Sequence, residues 1–302
     1  MKPVQFEYHR PDTVAEAVAM LDSLDDVKVI AGGQSLVPLM NFRLAAPANL
    51  VDVSRLGDLQ RIDVTPEAVV VGAAATHSEL LDHDGAAAAI PLLRHAERLI
   101  AHEVIRNRGT VCGSLAHADP SGEMTAVLTL LDGAVTARSV AGDRVIAAAD
   151  LFVGPLQSSL QENELLIDAS FPRPSVSTTT AIREVARRHG DYAVCGVAAA
   201  VDRAASGEIA GARAAFISLS PTPLVVDLGE IVGGRTPAEI DRGEVYDFVV
   251  ERVDPADDVH ATAEYRRHLA GVLAGDVVTD ALLTNPVPTD PVVTDPVPTD
   301  PV

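Results

Sequence analysis

Through the first half of the chain, apolar positions fall into short runs whose spacing changes at each boundary. Val18, Leu21 and Leu24 follow Thr13-Val14-Ala15-Glu16, which has capping-box spacing, and predict a helix from about Val14. Val27-Lys28-Val29-Ile30 reads as a strand that enters Ala31-Gly32-Gly33-Gln34-Ser35. Leu36 to Arg43 then reads as a helix, with Pro38 tolerated in its first turn. Leu50-Val51-Asp52-Val53 and Ala68 to Gly72 read as strands, and Thr76-His77-Ser78-Glu79 offers a second capping box. Ile90 to Asn107 reads as a helix ending at Arg108-Gly109. Another is predicted from Pro120-Ser121 through Leu131, with strands near Val135, Val145 and Leu166.

The pattern also divides the chain. A boundary falls near Gly57, and Phe171 to Thr180, with two prolines and a Ser/Thr run, reads as a linker. Beyond it Ile182 to Ala186, Val194 to Val201 and Ala212 to Leu219 read as strands, and Ala261 to Ala274 as a closing helix. Irregular alternation of this kind predicts an α+β arrangement over residues 1–57, 58–175 and 176–283. From Thr284 a proline-rich pentapeptide repeats to residue 302, which predicts an extended, solvated tail.

Charge narrows the function. A formal charge of −20 with no basic cluster argues against nucleic-acid binding. Charge, Gly or Pro interrupts each apolar run before the roughly 20 residues a membrane span needs. The start Met1-Lys2-Pro3-Val4-Gln5-Phe6-Glu7 lacks a secretory pattern, so a cytoplasmic protein is expected. Two cysteines, Cys112 and Cys195, can neither build a disulfide framework nor supply the four sulfurs of a usual iron–sulfur cluster.

The chemistry concentrates in two glycine-bearing turns about eighty residues apart, Ala31 to Ser35 and Thr110-Val111-Cys112-Gly113-Ser114, each preceding an expected helix start. Glycine permits positive φ and brings bare N–H groups to phosphate oxygens, so the pair predicts two cradles closing on one polyanion. The first segment alone is a common turn. The second, running on through Leu115-Ala116-His117-Ala118-Asp119-Pro120, adds hydroxyls and a carboxylate. No metal site is predicted: His117 has no second ligand at suitable spacing and reads as a hydrogen-bonding loop residue, with a general base as the alternative. His77 reads as a surface or cap residue, and His102 as a residue on a helix face.

These segments, with Gly190-Asp191-Tyr192-Ala193 and Ala263-Glu264-Tyr265-Arg266, resemble the FAD-binding medium subunits of the molybdenum hydroxylases, over nearly the whole chain to about Gly275. The resemblance implies a two-domain FAD-binding fold plus a C-terminal α/β domain. It also implies cofactor contacts from Ala31, Gly32, Gly33, Gln34, Ser35 and Leu36, and from Thr110, Val111, Gly113, Ser114, His117 and Asp119. Tyr192 falls where an aromatic residue lies beside the isoalloxazine, as the residue closest to the redox chemistry. Cys112 departs from the family's usual glycine, which implies either a position without positive φ or a thiol packed under the cofactor; the plainer reading is an inert, small buried residue. The resemblance further implies a small iron–sulfur subunit with two-iron two-sulfur clusters and a large subunit with molybdopterin cofactor, assembled as a dimer of heterotrimers. A self-contained flavin oxidoreductase and a scaffold subunit without FAD are the alternatives.

Overall fold

The computed structural model describes residues 1–283, and the pentapeptide repeat lies outside the described residues. The chain begins with β1 (Glu7–His9), α1 (Val14–Ser23), β2 (Val27–Ile30), α2 (Leu36–Asn41) and β3 (Asn49–Asp52). The strands form a parallel sheet in the order β1-β3-β2, so each connection must cross over, and the two helices are those crossovers. Thr13 caps α1 by accepting from the Glu16 N–H, and Val14, Ala17, Val18 and Leu21 present one buried stripe.

Next come β4 (Ile62–Val64) and β5 (Ala68–Gly72), then six helices: α3 (His77–Asp82), α4 (Asp84–Ala89), α5 (Pro91–Glu97), α6 (Glu103–Arg106), α7 (Val111–His117) and α8 (Glu123–Leu130). They are followed by β6 (Ala134–Ser139), β7 (Gly142–Ala147), α9 (Ala148–Leu151), the ribbon β8 (Phe152–Gly154) and β9 (Gln157–Ser158), and β10 (Leu165–Pro172). The main sheet is antiparallel in the order β4-β5-β10-β6-β7. The single helix expected over 90–107 is two. Ala101 takes φ 43°, and the Arg106 guanidinium gathers the carbonyls of Ile100 and Ala101 at 2.7 and 3.1 Å. The left-handed residue turns the chain, and the arginine satisfies the acceptors that the turn frees.

The last unit is an antiparallel meander of β11 (Thr178–Ala186), β12 (Ala193–Arg203), β13 (Ile209–Ile217) and β14 (Leu224–Asp227), followed by α10 (Gly229–Val232), α11 (Arg242–Val250) and α12 (Ala263–Leu283). Only residues 173–177 separate β10 from β11, so half of the predicted linker is strand. β12 is buried from Ala193 to Val201, and its faces serve two cores. Cys195, Val197, Ala199 and Val201 face the α11–α12 side, whereas Ala198 and Ala200 join the large core of the preceding units. Small residues on that second face let α8 approach the sheet closely.

One buried cation ties the closing helix to the middle of the chain. Arg266 of α12 donates to the Ser218 carbonyl at 3.0 Å and to Asp258 at 2.7 Å. Ser218 in turn donates its N–H to the Pro120 carbonyl at 2.8 Å and its hydroxyl to the Ala193 carbonyl at 2.7 Å. Replacing Arg266 by Ala leaves the Ser218 carbonyl without its guanidinium donor at this junction. Arg266→Ala should lower unfolding free energy by about 1.5–3 kcal/mol. Denaturant titration checks this, and an unchanged midpoint would refute the tie.

Candidate functional site

A cavity of about 640 Å³ lies between the starts of α2 and α7 and the loop before β12. Its walls show how the two glycine segments meet. A methyl group placed on Gly32 would overlap the Arg108 carbonyl and stand 2.7 Å from the Gly109 Cα, so the segments touch backbone to backbone and only glycine fits. Gly33 takes φ +72°, which turns the chain into α2. Within the described residues no hydrogen bond uses the N–H groups of residues 32–36, and all five residues line the cavity. A row of free donors on a concave wall suits an anion.

The second segment is not a separate turn but the first turn of α7. Thr110 is its N-cap, accepting from the Gly113 N–H at 3.0 Å, and Gly113 is helical. Gly113 matters for space: a methyl group there would stand 2.7 Å from Thr110 Oγ1. Cys112 accordingly needs no positive φ. It is buried, and its thiol donates to the Val71 carbonyl at 3.4 Å. Ala31, Leu36, Thr110, Gly113 and Ser114 all line the cavity, but Val111 does not. Its side chain is fully buried in the core, and its N–H goes to the Ala75 carbonyl at 3.3 Å.

His77 was expected at the surface or in the cap, and it is neither exposed nor the cap itself. The capping box of Thr76 and Glu79 forms, yet the imidazole points inward and is 2% exposed. Its Nδ1 lies 2.9 Å from Oε2 of the fully buried Glu97, and its Nε2 lies 2.9 Å from Ser114 Oγ. The His77 N–H donates to the Gly109 carbonyl at 2.9 Å, which sets α3 beside the start of α7. Burial pushes the Glu97 carboxyl above its ordinary range, while His77 and then Arg106 pull it back. The contact joins residues 77, 97 and 114, so spacing within the capping box could not reveal it.

At the other end, His117 closes α7 and Ala118 takes a left-handed φ of 53° that releases the chain toward Asp119. Asp119 Oδ1 accepts from the Ser121 N–H at 2.8 Å, and both His117 and Asp119 line the cavity. Gly190 takes φ +75°, and the ring of His102 fills the place a Cβ would occupy, only 2.6 Å away. His102 is the N-cap of α6, not a residue on a helix face. Tyr192 follows at the rim, 66% exposed. Glu123, at the start of α8, also lines the cavity. Burial, then the charges of Glu184, Glu97 and Asp119, push its carboxyl up to about 8.

The donor row, the Ser114 hydroxyl, the Asp119 carboxylate and the aromatic rim fit a long ligand with a central diphosphate, polyol hydroxyls and a flat ring. Residues 4–174 match the FAD binding domain in molybdopterin dehydrogenase, and residues 180–281 match the CO dehydrogenase flavoprotein C-terminal domain. The 6-hydroxypseudooxynicotine dehydrogenase complex subunit alpha of Paenarthrobacter nicotinovorans is 37% identical, over 93% of this chain and 96% of its own. The carbon monoxide dehydrogenase medium chain of Hydrogenophaga pseudoflava is 33% identical, over 90% and 95%. Quinoline 2-oxidoreductase from Pseudomonas putida 86 superposes with a TM-score of 0.89 at 31% identity, over 94% of this chain and 99% of that one. Two family models that together span the described chain, on a fold whose glycine segments converge on one cavity, make this protein a member of the FAD-binding medium subunits of the molybdenum hydroxylase family, an oxidoreductase subunit.

Proposed function

We propose that this chain holds FAD with its pyrophosphate across the starts of α2 and α7 and serves as an electron relay between partner subunits and an external acceptor. The observation that carries the placement is the row of free N–H groups at residues 32–36 facing Ser114 across one cavity. In this reading those N–H groups and the Ser114 hydroxyl hold the pyrophosphate, and His117 and Asp119 meet the polyol chain. Tyr192 is the flat neighbour at the rim that limits water at the ring. Bound flavin supplies the exchange of one electron at a time on one side and two on the other. The chain's own residues bind and orient it and set its surroundings.

The electrons come from a small iron–sulfur subunit and ultimately from a large molybdenum subunit, in a dimer of heterotrimers. The sequence supports this division of labour, because two cysteines cannot hold the clusters. Cytoplasmic action is part of the reading, in keeping with two unpaired, buried thiols. Among the described residues, no helix is long and apolar enough to cross a membrane.

Gly33→Val places a branched side chain on a positive φ, 3.1 Å from Val37 Cγ2. It should abolish FAD retention in a folded protein, read by flavin absorbance against circular dichroism; full occupancy would count against the placement. Tyr192→Ala should change flavin reduction or reoxidation rates and leave the melting temperature unaltered. Stopped-flow traces identical to those of the unsubstituted protein would remove Tyr192 from the ring.

The isolated chain should bind FAD but oxidise no substrate, whereas the complex with both partners does. Rapid mixing of that complex should show clusters reduced before or together with the flavin. Turnover by the single chain at the rate of the complex would replace the relay with a self-contained flavoenzyme.

A further inference from the structure

We propose that pyrophosphate binding in this cavity is linked to one proton held by the buried pair His77 and Glu97, with the Ser114 hydroxyl as the group that couples them. The inference rests on the FAD placement proposed above. It starts from a hydrogen-bond chain: Glu97 Oε2 to His77 Nδ1 at 2.9 Å, then His77 Nε2 to Ser114 Oγ at 2.9 Å, with Ser114 on the cavity wall. Among the described residues, the contact to His77 is the only hydrogen bond of the Ser114 hydroxyl.

A serine hydroxyl has one hydrogen, so the direction of its bond to His77 decides what it offers the cavity. With the carboxylate ionised and the imidazole neutral, Nδ1–H donates to Glu97 and Nε2 must accept from Ser114. The serine then shows only lone pairs to the cavity, which repel a phosphate oxygen. One added proton reverses this. If it sits on the imidazole, both ring nitrogens donate. If it sits on Glu97, the carboxyl donates to Nδ1 and the ring carries its hydrogen on Nε2. In both cases Nε2–H donates to Ser114 Oγ, and the serine hydrogen is free to donate to the anion. Ser114 is freed to donate wherever in the pair the proton resides.

The surroundings favour retention of that proton. His77 is 2% exposed and Glu97 is fully buried, so the pair with the proton is neutral overall and the pair without it leaves an unbalanced buried charge. The charged groups that face the pair come from three elements. Glu97 itself is on α5, Arg106 on α6 draws the carboxyl down, and Glu123 on α8 is coupled to Glu97 by repulsion. On α3 itself, Glu79 is committed to Thr76 through the capping box. Gly109 makes room for the ring: a Cβ there would stand 3.2 Å from His77 Cδ2. His77 is thus a positioning residue that acts on the ligand through Ser114.

The test titrates the full-length chain, freed of flavin, with FAD between about pH 6 and 9, and repeats the titration with ADP and with riboflavin. FAD and ADP affinity should fall as pH rises, approaching about tenfold per pH unit once the pair loses its proton, and calorimetry in buffers of different ionisation enthalpy should show proton uptake. Riboflavin, which lacks the pyrophosphate, should show no such slope. Ser114→Ala should bind FAD more weakly at pH 6 and lose the slope. Glu97→Gln should keep the tighter affinity and lose the slope, because the glutamine amide donates to Nδ1 as the protonated carboxyl does and leaves the ring hydrogen on Nε2 at every pH. An FAD affinity independent of pH, or a Ser114→Ala slope equal to that of the unsubstituted chain, overturns the linkage while leaving the FAD placement intact. Failure of FAD and ADP to bind at any pH overturns the placement, and the linkage with it.

Discussion

The backbone of Gly32 presses against the backbone of Arg108 and Gly109 with no room for a single added carbon. That contact joins the parallel three-stranded sheet to the helical layer of the middle unit, and the cavity exists because of it. The donor row of residues 32–36 sits on one side of the contact, and the start of α7 on the other. Further ties run to the same point. The His77 N–H meets the Gly109 carbonyl, and Thr76 bridges Thr110. Neither glycine segment is a binding site alone, since each supplies only part of the wall.

The third unit serves that wall from outside. The faces of β12 pack into two different cores, so the meander is held to the middle unit by its small-residue side and to α11 and α12 by its larger one. The loop before β12 carries Gly190, Asp191 and Tyr192 to the cavity rim. The chain from Arg266 through Ser218 to Pro120 and Ala193 pins both ends of that loop's surroundings. A helix near the C-terminus thereby helps set the position of a rim residue some seventy places earlier in the chain.

Much of this was legible in the sequence where local rules act alone. The caps at Thr13 and Thr76, the strand Val27–Ile30 and the helix after Ser35 follow from spacing within a few residues. The reading fell short where distant groups decide. The helix expected through Asn107 breaks at Ala101 because Arg106 compensates for the freed carbonyls, and that depends on a folded-back side chain. Gly113 was read as a turn residue, whereas Thr110 caps a helix there and makes Cys112 unexceptional. His77 was read as a surface or cap residue, and its inward partners, Glu97 and Ser114, lie 20 and 37 positions away where local spacing cannot reveal them. Glu123 was not singled out, since the burial and acidic neighbours that push its carboxyl up arise only in the fold.

Cys112 lies on the cavity wall one residue before Gly113, and Cys195 lies inside the third unit's core. Burial pushes both thiols up, Cys112 well above the ordinary range and Cys195 to about 12. Peroxide attacks the thiolate, and at neutral pH neither sulfur supplies a useful amount of it. A flavin that meets oxygen generates peroxide a few bonds from its own binding wall. In the proposed FAD placement this wall carries a chemically quiet thiol, so peroxide formed there should oxidise exposed sulfur such as Met1 first.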